Sequence, residues 1–208
     1  MSKTIIADTY NINEIVNYFR ENKIVCLPTD TVYAMSSNAT SIDTIKKIYR
    51  IKQRSLEKPL PIFVSNINMA QQYVNFSLRQ LKFIKKFWPG ALTVVTRVLN
   101  NTCIPSLLVS KNKVALRIPN SILIQNICKK LNKPIVGTSA NLSSESSINN
   151  FTTMKRKFNS SVDVIVKDIN AIVNINTMSS TIIELIDDDN YKILREGPIK
   201  AEELYNYL

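Results

Sequence analysis

The segment PTDTVYAMSSNAT, residues 28–40, lies between the apolar run IVCL and the helix-like segment SIDTIKKIYRIK. It places these hydrogen-bonding side chains close together: Thr29, Asp30, Thr31, Tyr33, Ser36, Ser37 and Asn38. Ordinary connections in compact domains are shorter and contain fewer hydroxyl groups. The chain therefore concentrates polar groups where a buried strand is predicted to end, and ligands bind beyond strand ends in open α/β sheets.

The composition is that of a folded protein with one sizeable core. The chain has 208 residues, of which 45% are hydrophobic and 21% are charged. No run approaches the roughly 20 apolar residues of a membrane span, and the first residues lack the apolar stretch of a secretory signal. Cys26, Cys103 and Cys128 are far apart and are expected to be reduced, mostly buried thiols. These features predict a cytoplasmic protein with no membrane attachment.

The sequence contains no histidine, and this narrows the chemistry. Serine–histidine and cysteine–histidine nucleophile pairs, imidazole bases and histidine metal ligands are all excluded. Because the cysteines are also scattered, no structural zinc site is expected. A reaction catalysed by this chain must use hydroxyls, carboxylates, Lys, Arg, backbone groups or a bound Mg²⁺ ion.

The net charge of +11 predicts attraction to polyanions such as RNA, ATP or pyrophosphate. The chain is also rich in Lys, Asn, Ile and Tyr, the residues that A+T-rich codons favour. Such a bias would raise the charge without any functional reason, so the charge alone does not identify a partner.

Hydrophobic periodicity predicts helices and strands in an irregular order. Helices are predicted at residues 11–23, 41–52, 77–88, 121–131 and 198–208, with a further short helix inside the polar segment 142–161. Strands are predicted for IVCLP, LPIFVSN, ALTVVTRVL, KVALRIP, KPIVGTS, VDVIV, STIIEL and YKILRE. Several strands follow one another directly, which favours an α/β fold with a mixed parallel and antiparallel sheet covered by helices. No linker composition is present, so residues 1–208 are predicted to form one domain.

Further polar strings are predicted at the ends of other strands, in RIKQRSLEKPLPIF, KVALRIPN, VGTSANLSSESS, SSTIIEL and ILREGP. Their hydroxyls, amides and cations suit a phosphorylated or carboxylated ligand. Each string can also be explained as a helix cap, a turn or a solvated charged face. The only glycines are Gly90, Gly137 and Gly197, which excludes a P-loop and a Rossmann fingerprint. Composition and spacing alone thus predict an α/β domain whose strand ends suit an anion.

Taken together and in order, seven segments resemble the YrdC/TsaC family of L-threonylcarbamoyladenylate synthases. They are PTDTVYAM, KQRSLEKPLPIFV, FWPGALTVV, VALRIP, TSANLSSESS, SSTIIEL and ILREGPI. The corresponding family patterns are PTDTVYGL, KxRxxxxPL, WPGPLT, VAxRxP, SANxSGxxS, STVVD and LRxG. The resemblance covers nearly the whole chain and is closest to the short members that lack an extra C-terminal domain. It implies a YrdC-like fold, a twisted mixed sheet with a basic concave face.

The resemblance also implies an enzyme, a nucleotidyltransferase that uses ATP, L-threonine and bicarbonate. Threonine and bicarbonate form a carbamate, whose carboxylate displaces pyrophosphate from ATP to give threonylcarbamoyl-AMP. Mg²⁺ is the implied cofactor, held mainly through the ATP phosphates. A separate threonylcarbamoyl transferase complex would then modify tRNA. Both chemical steps depend on positioning and charge stabilisation, which agrees with the missing histidine.

The same resemblance assigns residues to the substrates. Threonine and carbamate are expected to contact Thr31, Phe63, Arg117, the Gly137 backbone and Ser180. ATP is expected to contact Arg54, Lys58, Lys113, Ser139, Asn141, Ser147 and Arg195. Lys52 and Arg54 are the expected catalytic residues. No metal ligand from the protein is implied.

Some positions depart from the family pattern and raise the question of local loop geometry. Ala34 replaces the glycine of VYGL and would be strained if that position required a positive φ. Lys58, Thr138 and Ser144 also differ from the usual residues, and the segment 167–181 lacks the glycines that often precede STVVD.

Two other functions remain open. A non-catalytic RNA-binding module of the same fold would use the positive charge, and weak direct RNA binding is compatible with either function. The sequence lacks the signatures of the RRM, KH and double-stranded-RNA-binding modules. A carbamoyl-transferring domain like that of hydrogenase maturation proteins usually lies in a far longer chain with zinc-finger-like cysteines.

Overall fold

The computed structural model describes residues 1–7, 11–143, 145–168 and 178–205. Its helices are α1 (Ile12–Arg20), α2 (Ile42–Lys52), α3 (Ile67–Ala70), α4 (Leu78–Ile84), α5 (Ile122–Leu131), α6 (Phe151–Phe158) and α7 (Ala201–Tyr205). The predicted helices are all present, although the helix predicted for residues 77–88 ends at Ile84 and continues as turns. No helix in the described ranges is both long and apolar enough to cross a membrane.

The first sheet contains both parallel and antiparallel pairs. Its strands lie in the order β1 (Lys3–Ala7), β10 (Val164–Asp168), β2 (Val25–Leu27), β3 (Ala34–Ser36) and β9 (Thr138–Ser139). β1 and β2 flank β10 in parallel, whereas β3 is antiparallel to both β2 and β9. Neither β1 nor β3 was predicted, and β3 lies inside the polar segment 28–40.

The second sheet is also mixed. Its strands lie in the order β12 (Tyr191–Arg195), β11 (Thr181–Leu185), β5 (Leu92–Arg97), β7 (Lys113–Arg117), β4 (Ile62–Phe63) and β8 (Ile135–Val136), with β6 (Val109–Ser110) paired to β7. β11 runs parallel to β5, and β4 runs parallel to β7. The predicted α/β class with a mixed strand arrangement is therefore confirmed, but the described strands are divided between two sheets.

Gly137 is the residue at which the chain passes from the second sheet to the first. β8 pairs with β4 in the second sheet, and β9 pairs with β3 in the first. The Gly137 N–H donates to the Pro61 carbonyl at 2.8 Å, and the Val136 N–H donates to the Ser37 carbonyl at 2.8 Å. Segments 28–40, 59–63 and 137–141 are thus brought to one place, because each lies at this junction.

The core is apolar and continuous across both sheets, and buried side chains from α1, α2 and α5 pack against it. Cys26 and Cys128 are buried free thiols and Cys103 is an exposed one, as expected for reduced cysteines. Ala34 lies in β3 and is not among the residues with positive φ, so the expected strain is absent. Ser144 and residues 169–177, where other departures from the family pattern fall, lie outside the described residues.

Candidate functional site

A cavity of about 450 Å³ opens where the two sheets meet. This volume is in the range of small-molecule sites. Its lining includes nine of the residues that the sequence nominated: Thr31, Arg54, Phe63, Lys113, Arg117, Gly137, Ser139, Ser180 and Arg195. Lys52, Lys58, Asn141 and Ser147 do not line it. The fold therefore gathers polar strings that lie up to 164 residues apart in the chain, from Thr31 to Arg195.

Thr29 organises the turn that begins the first polar string. Its hydroxyl oxygen accepts from the N–H groups of Thr31 at 3.0 Å and Val32 at 3.2 Å, and its O–H donates to the Val32 carbonyl at 2.7 Å. Side-chain hydroxyls commonly fix turns in this way. Thr29 lines the cavity although it was not assigned a role, and it sets the position of the neighbouring Thr31 hydroxyl.

Arg117 ties three segments together beneath the cavity wall. Its Nε–H donates to the Gly90 carbonyl at 2.8 Å, one terminal nitrogen donates to Thr31 Oγ1 at 3.1 Å, and the other donates to Asp30 Oδ1 at 2.6 Å. A guanidinium carries five N–H donors. Two N–H groups therefore remain beyond these bonds. Burial lowers the pKa of Arg117, and the Asp30 carboxylate offsets part of this effect.

Phe63 lies between Arg117 and Gly137. The Arg117 guanidinium carbon lies 5.8 Å from the centre of the Phe63 ring, within cation–π range. A Cβ atom on Gly137 would lie only 2.4–2.6 Å from three atoms of that ring. Gly137 does not have a positive φ, so its backbone conformation does not require glycine. Glycine is required because the Phe63 ring occupies the space that a side chain would need.

Ser180 and Arg195 form another part of the cavity lining. The Arg195 guanidinium donates twice to the Ser180 carbonyl, at 2.7 and 3.1 Å, and the Ser180 hydroxyl lies 2.7 Å from the Thr93 hydroxyl. Burial lowers the pKa of Arg195, and the charges of Arg117 and Arg54 lower it further. All three guanidinium groups belong to residues that line this cavity.

Arg54 and Lys58 are connected, but only Arg54 faces the cavity. The Arg54 Nε–H donates to the Lys58 carbonyl at 2.9 Å, which fixes the turn after α2. Burial lowers the pKa of Arg54. The Lys58 residue is exposed and contributes its carbonyl oxygen to this arrangement. Its predicted contact with ATP is therefore not supported by its position in the structure.

Lys52 is buried, and its ammonium holds the loop that follows β9. The Nζ donates to the carbonyl oxygens of Ser139 and Asn141, the latter at 2.7 Å, and to Asn141 Oδ1 at 3.2 Å. An ammonium has three donors. These contacts use all of them, so Lys52 supports the loop and does not line the cavity, and its expected catalytic role stays a prediction. Burial, with a smaller effect of Arg54, lowers the pKa of Lys52 to about 8.

Asn141 and Ser147 also act from behind the lining. Asn141 Oδ1 accepts from the Ser139 hydroxyl at 2.6 Å, and its Nδ2 donates to the Glu145 carbonyl at 2.6 Å. The Ser147 hydroxyl lies 2.9 Å from the hydroxyl of Ser179, which does line the cavity. These two residues position their neighbours, whereas direct ligand contact had been expected for both.

Sequence reasoning missed two charged lining residues, Lys111 and Glu184. Lys111 and Asn112 have φ values of 49° and 57° and form the turn between β6 and β7. Glu184 accepts a hydrogen bond from Lys113 Nζ, and their side chains are 22% and 30% exposed, respectively. A signal for Glu184 was present, because it occupies the place of the aspartate in the family pattern STVVD.

The charges of the lining favour an anionic ligand. The cations are Arg54, Lys111, Lys113, Arg117 and Arg195, and Glu184 is the single carboxylate among the lining residues of the described chain. Arginine can grip a carboxylate or phosphate with two parallel hydrogen bonds. The hydroxyls of Thr31, Ser139 and Ser180 add neutral polar groups. This arrangement suits a ligand that carries both phosphate and carboxylate groups.

The sequence of this chain is similar to those of known proteins. The family model Sua5/YciO/YrdC, described as "Telomere recombination", matches residues 17–197. A threonylcarbamoyl-AMP synthase of Wigglesworthia glossinidia brevipalpis is 30% identical over 191 residues, covering 90% of this chain and 94% of that protein. The synthase of Bacillus subtilis is 34% identical over 129 residues, covering 62% of this chain and 37% of that longer protein.

The fold also matches a solved structure, that of Pyrococcus abyssi Sua5 complexed with L-threonine. The TM-score is 0.87 at 24% identity, and the match covers all of this chain and 60% of the archaeal one. The likeness shows that the two chains share this fold.

Gly137→Ala is expected to lower the free energy of unfolding by about 1–3 kcal/mol, because the new methyl group overlaps the Phe63 ring. In a Phe63→Leu background the same substitution should cost much less, because the ring is gone. Urea unfolding of the two single variants and the double variant measures this coupling. Equal costs of Gly137→Ala in both backgrounds would contradict the proposed overlap.

Proposed function

The chain belongs to the Sua5/YciO/YrdC family, and we propose that it is a threonylcarbamoyl-AMP synthase whose cavity binds L-threonine, bicarbonate and ATP. The observation that carries this proposal is the convergence of Arg54, Arg117 and Arg195 on one cavity that is also lined by hydroxyl groups. A relative that bears this name matches 90% of the chain. The product would be threonylcarbamoyl-AMP, with pyrophosphate as the leaving group.

The amino-acid side of the cavity is assigned to the wall formed by Thr31, Phe63, Arg117 and Gly137. The two remaining N–H groups of Arg117 suit the threonine carboxylate, because a guanidinium fork matches its two oxygens. Thr31 offers a hydroxyl next to that fork, and the Phe63 ring offers an apolar surface for the threonine methyl group. Ser180, which also lines the cavity, is assigned to the same substrate.

The nucleotide side is assigned to Arg54, Lys113, Ser139 and Arg195, all of which line the cavity. The carbamate oxygen must approach the α-phosphorus in line with the departing pyrophosphate. Positive groups fixed by their own hydrogen bonds stabilise the charge that develops on the pyrophosphate. Lys52, Asn141 and Ser147 contribute by holding the loops that carry these groups.

Mg²⁺ is proposed to enter with ATP. Among the described residues there is no cluster of three or more His, Cys, Asp or Glu that could hold a metal ion. The phosphate oxygens would therefore supply most of the ligands, and the ion would neutralise charge on the pyrophosphate. The activated threonylcarbamoyl group is proposed to pass in the cytoplasm to a separate transferase complex that modifies tRNA.

Purified protein with ATP, bicarbonate and Mg²⁺ is expected to release pyrophosphate when L-threonine is added. L-Serine should support release about tenfold less well or worse, because it lacks the methyl group that Phe63 contacts.

Arg195→Met should lower kcat/KM for ATP by about tenfold to a hundredfold through loss of a charged hydrogen-bond donor. Arg97→Met is the matched control, because Arg97 is exposed and does not line the cavity.

The absence of threonine-dependent release from folded protein would contradict the proposed reaction. Tight, salt-sensitive binding of RNA by the same inactive protein would then favour the RNA-binding module, because phosphate contacts release counterions.

A further inference from the structure

The pair formed by Lys113 and Glu184 lies on the cavity floor. Lys113 is on β7 and Glu184 is on β11, and β5 separates these two strands. Val95 of β5 is in register with Ala115 on one side and Glu184 on the other, and all three line the cavity. The Lys113 ammonium reaches over β5 and donates to the Glu184 carboxylate. The ammonium is therefore already paired with a carboxylate.

A carboxylate in this position opposes the binding of a polyanion. An incoming phosphate must take Lys113 from Glu184, and the freed carboxylate then repels it. Such competition acts strongly here because both side chains are largely shielded from water, with exposures of 30% and 22%. The other lining cations meet no carboxylate of the lining within the described chain, and Arg117 is paired with Asp30 behind it.

We propose that Glu184 limits the affinity of the cavity for polyphosphates by competing for the Lys113 ammonium. The inference rests on the proposed function in taking ATP and pyrophosphate as the polyphosphates. Five lining cations could otherwise retain pyrophosphate after the reaction. When the carboxylate pairs with Lys113 again, the cavity binds pyrophosphate less tightly. Glu184 therefore favours release of this product.

The test is calorimetric titration of inorganic pyrophosphate into wild type, Glu184→Gln, Lys113→Met and the double variant, each with and without Mg²⁺. Glu184→Gln keeps the shape of the side chain and removes its charge. It is expected to tighten pyrophosphate binding about fivefold, the upper end of the range for a partly exposed ion pair. In the Lys113→Met background the same change should have no effect. Thermal melting of each variant verifies that it is folded.

Two results would overturn the inference. If Glu184→Gln tightens pyrophosphate binding fivefold in the Lys113→Met background as well, Glu184 repels the ligand through its charge alone and does not compete for Lys113. Weaker binding of magnesium pyrophosphate to Glu184→Gln would mean that the carboxylate holds the metal ion. The titration does not depend on catalysis, so the two proposals can fail separately. If Glu184→Gln tightens pyrophosphate binding only when Lys113 is present, but the protein does not make threonylcarbamoyl-AMP, only the proposed function is refuted. If the protein makes threonylcarbamoyl-AMP but Glu184→Gln does not change pyrophosphate binding in this way, only the role of Glu184 is refuted.

Discussion

Burial of the Arg117 guanidinium is the constraint on which the site depends. A charge that is only 3% exposed is costly unless acceptors surround it. The chain supplies a carbonyl from Gly90, a hydroxyl from Thr31 and a carboxylate from Asp30. These partners come from two segments distant in sequence from β7, so one side chain fixes the relative positions of the walls that a substrate must contact.

The second constraint is steric and lies at the junction of the sheets. The Phe63 ring can lie against Arg117 because Gly137 leaves room for it. The same glycine lets the chain leave β8 and enter β9 after a single residue. Behind this junction, Lys52 fills its three donor positions with acceptors from Ser139 and Asn141. Lys52 thus fixes the loop that carries Ser139, a residue that lines the cavity.

Much of this architecture could be predicted from the sequence, because helical and strand periodicity reports which face is buried. β3 was missed because its Ser36 is polar although fully buried, so the strand does not stand out from the segment around it. The division into two sheets was missed because the break at Gly137 is one residue long. Motifs identified nine lining residues, but a motif does not report the direction of a side chain, and the motif residue Lys52 does not line the cavity. Glu184 was overlooked because a carboxylate was not expected in a site for anions.

The central claim is that the Arg117 fork recognises the carboxylate of L-threonine. The most direct test is titration calorimetry of L-threonine into wild type and Arg117→Lys, with thermal melting to verify that the variant is folded. Lysine keeps the charge but lacks the planar fork, so the account predicts that Kd for threonine rises about tenfold or more. An unchanged Kd in folded Arg117→Lys protein would contradict the account, because threonine would then bind without this side chain.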